Sequence, residues 1–207
     1  MASSCGNRDC SNRLNFLPPP PVSEKFRQFE QLALRIRSFA GLSGIHDKLD
    51  PYLLAQSAGL RVVPLDAING LTEDAKAVLQ SPNGAWSGGA TPMLPDGTRI
   101  VILNPNHSTT RKAATLMEEI CHVLLGHQHS ELSTGNSNSD ASRTHHQHIE
   151  EEAYSVGAAA LLPYRALVCS LLRGQSIKAI AIQAGVSQAL VRYRIRVLKL
   201  SVHLGRT

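Results

Sequence analysis

Met117-Glu118-Glu119-Ile120-Cys121-His122-Val123-Leu124-Leu125-Gly126-His127 is the stretch on which the reading of this chain turns. Its apolar residues recur at helical spacing, Gly126 supplies a stop, and Ser108 or Thr109 supplies an N-cap, so a helix is expected over about residues 111–125. Residues four apart on a helix differ by about 40° around its axis, so Glu118 and His122 point the same way, with Glu119 one step round. The register E-E-x-x-H differs at one position from H-E-x-x-H, in which two His hold zinc and the Glu between them is the general base. Glu118 stands at that position.

A second helix supplies what the first lacks. After a polar stretch over 128–148, rich in Ser, Asn and His, the residues 149–162 read as a helix that opens on Glu150-Glu151-Glu152 and buries Ala153, Val156, Ala159, Ala160 and Leu161. An antiparallel neighbour of that kind can carry a third carboxylate to Glu118 and His122. Glu pairs on helices are commonly solvated and a lone His on an apolar helix is commonly a core residue, so the residues alone leave both readings open. His127 follows His122 by five positions, about 140° off its face, and reaches the same place only if the helix breaks at Gly126. His129, His145, His146 and His148 read as surface histidines, and the loop they occupy is expected to be mobile and to border the cleft.

Upstream, the signals alternate. Helices are expected over 23–39, where Phe26, Phe29, Leu32, Ala33, Ile36 and Phe39 keep helical spacing, over 51–57, and around 73–79. Strands are expected over 60–65, over 86–90, and over Arg99-Ile100-Val101-Ile102-Leu103, the last two joined by a turn at Pro95-Asp96-Gly97. The fold class is therefore α+β, a small sheet beside a motif-bearing helix, followed by short helices. The Pro18-Pro19-Pro20-Pro21 run is a stiff spacer that sets off a disordered tail over 1–22 from a domain over 23–163 and a basic helical segment over 164–207.

The formal charge of +5 is unevenly placed: from Tyr164 onward there are eight Lys and Arg and no Asp or Glu, leaving the remainder net acidic. Nucleic acid or an acidic protein surface is therefore a candidate partner of that segment. Within it, Ala181-Ile182-Gln183-Ala184-Gly185-Val186-Ser187 and Val191 have the small residue, turn glycine and apolar spacing of a helix-turn-helix. Arg192, Arg194 and Arg196 follow at alternate positions and so spread around their helix instead of forming one stripe. No apolar run is long enough to span a membrane and the N-terminus lacks the apolar core of a signal peptide, so a cytoplasmic location is expected, with no membrane partner. Cys5 and Cys10 read as free thiols, and Cys121 as a small core residue.

Three segments together resemble the ImmA/IrrE family of metallopeptidases: "RIVILNPNHSTTRKAATLMEEICHVLLGH", "IEEEAYSVGAAALLPY" and "SIKAIAIQAGVSQALVRYRIRVLKL". The resemblance runs from about residue 51 to 200 with the segments in order. It implies a zincin-like core and a metal-dependent endopeptidase acting on a protein substrate, such as a helix-turn-helix repressor in a stress response. It also implies His122 and Glu150 as zinc ligands, Glu152 being the neighbour most easily confused with Glu150, and Glu119 as the catalytic base. Glu118 takes the remaining ligand position, where the family has His. One His and two carboxylates around Zn²⁺ bring the net charge to zero instead of +1, weakening the pull on a water proton and favouring harder ions such as Mn²⁺. The alternative is a catalytically inactive pseudo-peptidase acting as a DNA-binding or repressor-binding regulator. In the active reading, the strand over 99–103 is expected to lie at a sheet edge and align substrate by strand addition.

Overall fold

A computed structural model describes residues 24–68, 70–81, 86–127 and 140–200. The tail over 1–22, Ser23 at the start of the helix expected over 23–39, and residues 128–139 of the polar loop lie outside them. The elements in order are α1 (Glu24–Phe39), α2 (Pro51–Ser57), β1 (Leu60–Val62), a 3₁₀ turn (Leu65–Ala67), α3 (Glu73–Leu79), β2 (Gly88–Ala90), β3 (Arg99–Leu103), α4 (Thr109–Leu124), α5 (Asp140–Leu161), α6 (Tyr164–Leu172), α7 (Ile177–Ala184) and α8 (Gln188–Val197).

The mixed α+β class expected from the sequence is the one observed. Local chemistry explains most boundaries. Asp50 caps α2 by accepting from the Tyr52 and Leu53 amides, Thr72 caps α3, and Ser108 caps α4 by accepting from the Arg111 amide. The strand expected over 60–65 is shorter. Val63 still donates to the Val101 carbonyl, but Pro64 has no N–H to continue the ladder, and the chain turns into the 3₁₀ segment. The second ligand-bearing helix is longer than expected. It begins at Asp140, inside what reads as loop, because residues 140–148 have no apolar stripe to announce a helix.

The sheet has the order β1-β3-β2, with β1 parallel to β3 (Leu60 opposite Arg99) and β2 antiparallel to it (Gly88 opposite Leu103). This corrects the expected role of residues 99–103. Strand β3 is paired on both sides and cannot accept a substrate strand, whereas β2 is an edge. Sheet order depends on long-range pairing that no local pattern encodes.

Helix α4 lies between the sheet and α5, with α2 also against it and α1 packed along α5. Its inner face is Leu116, Met117, Ile120 and Cys121, all fully buried, meeting Ala153, Val156 and Ala160 of α5 and Val101 and Leu103 of β3 in one core. The two helices approach closely at Gly157, where a Cβ would stand 3.2 Å from Met117 Cγ and 3.4 Å from the Met117 carbonyl. That contact is immediately next to Glu118.

Two buried guanidinium groups hold the far end of α5. Arg37 donates to the Ala160 carbonyl at 2.9 Å and Arg194 donates to the Leu162 carbonyl at 3.1 Å, satisfying acceptors that a helix end leaves open. Arg194 also pairs with Glu30, whose other oxygen accepts from the Tyr164 amide at 3.2 Å. Among the described residues no single helix is long and apolar enough to cross a membrane.

Candidate metal centre

The buried stripe of α4 leaves Glu118, Glu119 and His122 on its flank, all half-buried, on the side of Glu150 of α5. His122 and Glu150, the ligand pair expected across the two helices, stand together with Nε2 and Oε2 3.5 Å apart. The distance is informative. It is long for a charge-assisted hydrogen bond, which falls near 2.7–2.9 Å. It is close to the roughly 3.4 Å that separates two ligands about 2.1 Å from a tetrahedral zinc.

Glu118 and Glu119 complete the electrostatics. Burial, reinforced by the negative charge of Glu150, pushes both carboxyls up to about 7, with Glu119 adding to the effect on Glu118. Three carboxylates thus share a partly dry pocket with too little positive charge to balance them, an environment that favours a divalent cation. Among the described residues, however, no three His, Cys, Asp or Glu side chains are gathered closely enough to hold a metal as they stand. The fold joins His122 to Glu150 and brings Glu118 within reach of the Glu150 charge without joining it to the pair.

His127 enters by the route that the sequence left conditional. Helix α4 does break at Gly126, whose φ of 72° is left-handed. The Gly126 amide donates to the Val123 carbonyl at 3.1 Å and the His127 amide to the His122 carbonyl at 2.9 Å, the paired bonds of a Schellman cap. Such a cap folds the second residue beyond it back over the last turn, so His127 meets His122 with Nδ1 to Nδ1 at 3.1 Å. The other His127 nitrogen, Nε2, lies 3.2 Å from Glu152 Oε2. Glu152 therefore faces His127, while Glu150 faces His122. His148 is exposed; His129, His145 and His146 are not among the side chains described.

A sheet edge lies beside these residues of α4. Gly88 of β2 packs against Thr115, one helical turn before Glu118 and Glu119, and a Cβ there would come within 2.7 Å of Thr115 Cγ2. Strand β2 borders an apolar groove of about 280 Å³ walled by Leu65, Ile68, Leu79, Trp86 and Ile102. The sequence had marked Trp86 to Ala90 as a strand but not as the edge.

A helix bearing a carboxylate-histidine register, a second helix that meets it with a glutamate, and a small sheet with a free edge stand side by side in this fold. Residues 56–196 match the peptidase M78 family, described as the IrrE N-terminal-like domain, and the chain belongs to that family. The family is of metallopeptidase type and is generally metal-dependent. No curated protein matches the chain.

Proposed function

We propose that the protein is a metal-dependent endopeptidase of the ImmA/IrrE type, with Glu118, His122 and Glu150 as ligands and Glu119 as the general base. The observation that carries this reading is the 3.5 Å approach of His122 Nε2 and Glu150 Oε2 across two helices, beside two carboxyls held near neutrality. When bound, Zn²⁺ or a harder ion such as Mn²⁺ supplies Lewis-acid polarisation and lowers the pKa of a water. Glu119 takes the proton from the attacking water and returns it to the leaving amine. A carboxyl near 7 is matched to both transfers. Substrate lies along β2, where backbone amides and carbonyls at the sheet edge can pair with an extended peptide and the adjoining groove can take an apolar side chain. A helix-turn-helix repressor is the substrate class that the family resemblance favours.

The test is the substitution Glu119→Gln, assayed for metal content and for cleavage of a candidate repressor. Metal should be retained and turnover should fall by at least about 100-fold, the usual contribution of a positioned base. Equal cleavage by parent and variant would remove Glu119 from the mechanism.

A second reading is supported by Glu118 itself. A carboxyl near 7 is a poorer ligand than a neutral imidazole, which suits a chain that keeps the fold as a repressor-binding or DNA-binding regulator without turnover. The exposed Arg192 and Arg196 of α8 would serve contact with an acidic partner, whereas Arg194 is buried and committed to Glu30. Stoichiometric repressor or duplex binding by metal-free protein, with no cleavage product, would favour this reading.

A further inference from the structure

We propose that Glu152, His127 and His122 form a hydrogen-bonded relay that fixes the tautomer of His122 and turns its Nε2 lone pair toward the metal position. The proposal deepens the metal-centre reading and rests on it. His127 and Glu152 are positioning residues in this scheme.

In this relay Glu152 Oε2 is the acceptor, and the His127 nitrogen 3.2 Å away, Nε2, carries the hydrogen. In neutral His127 that leaves Nδ1 as the acceptor. His127 Nδ1 lies 3.1 Å from His122 Nδ1, and an acceptor there requires His122 to carry its hydrogen on Nδ1. The His122 lone pair then resides on Nε2, the nitrogen that faces Glu150 Oε2. A carboxylate two residues from the proposed ligand Glu150 thus sets, through one imidazole, the protonation pattern that a ligating histidine needs.

The surroundings suit a fixed relay. The His127 side chain is only 8% exposed and Glu152 25%, whereas Glu150 is 60% exposed, so the relay sits on the inner side of the pair and the ligand on the solvent side. The His127 backbone is held independently of its ring by the Schellman bond to the His122 carbonyl. The two rings, 69° apart in plane, are therefore placed by the helix cap and oriented by Glu152.

The experiment labels histidine with ¹⁵N and reads both tautomers in the chelator-treated full chain by long-range ¹H–¹⁵N correlation, well above the ordinary histidine pKa. Nδ1–H on His122 and Nε2–H on His127 are expected; Nε2–H on His122, or Nδ1–H on His127, overturns the relay. Zinc affinity, measured by competition with a chromophoric chelator, gives the second readout. His127→Leu should weaken zinc binding by about 10–100-fold. His127→Gln should restore it to within a few-fold, because an amide oxygen can accept from His122 while its NH₂ donates to Glu152. Parental affinity in His127→Leu overturns the proposal, and so does a His127→Gln as weak as His127→Leu. Should the parent bind no zinc yet show both expected tautomers, the relay is supported and the metal-centre reading fails. Should the parent bind zinc with the tautomers reversed, the centre stands and the relay falls. The tautomer measurement needs no variant, so it decides even where His127→Leu does not fold.

Discussion

At the scale of single residues, the candidate centre is made of carboxyl groups held where they ionise reluctantly. Glu118 and Glu119 have folded pKa values near 7 against an ordinary 4.5, raised by burial and by Glu150. A carboxyl raised in this way binds more protons folded than unfolded between those two values, so its contribution favours folding at low pH and is lost as pH rises through about 7. Metal-free protein should therefore lose thermal stability between about pH 5 and pH 8, and Glu119→Gln should flatten that slope, as followed by thermal melts in chelator. A parent whose midpoint rises over the same interval would show that the pocket does not strain its carboxylates. Much of this residue-level picture was legible in the sequence, because the i and i+4 spacing of Glu118 and His122 is a property of any helix. The division of labour between Glu150 and Glu152 was not. Which of two carboxylates, two positions apart on α5, meets His122 depends on how α5 is turned against α4, and the Met117–Gly157 contact that fixes their approach has no local signal.

At the scale of elements, the end of α4 does more than stop a helix. Gly126 at φ 72° reverses the chain and delivers His127 to His122, an outcome the sequence made conditional on a break at that residue. An L-residue at a left-handed position costs roughly 1–2 kcal/mol. Gly126→Ala should accordingly lower the midpoint by roughly 2–8 °C for a chain of this size. It should also weaken metal binding, because His127 is displaced; calorimetry and a zinc titration on one preparation check both. An unchanged midpoint with unchanged affinity would mean that the cap does not position His127. Helix α4 could be read from the sequence because Ser108 announces its start and Gly126 its end, and the capping of α2 by Asp50 and of α3 by Thr72 follows the same local chemistry. The first turns of α5 could not be read, since residues 140–148 carry no large apolar side chain and their helix is an extension of the buried part. Nor could the place of β3 at the centre of the sheet, where β1 and β2 reach it from separate parts of the chain.

At the scale of the whole molecule, the basic C-terminal helices are structural as well as charged. Arg194 joins α8 to α1 through Glu30 and to the end of α5 through the Leu162 carbonyl, so the family match running through residue 196 spans helices that share one core with α4 and α5. Arg194→Met leaves the largely buried Glu30 without its cationic partner and should cost about 3–5 kcal/mol in urea unfolding. Arg192→Ala, on an exposed position of the same helix, should stay within about 0.5 kcal/mol. Equal effects would separate α8 from the core. The central claim, that α4 and α5 together build a metal centre, is tested most directly by elemental analysis of protein purified without added metal and then dialysed against zinc or manganese. The account predicts close to one divalent ion per chain, retained through gel filtration. A chain that carries no divalent ion and takes none up under those conditions would contradict it.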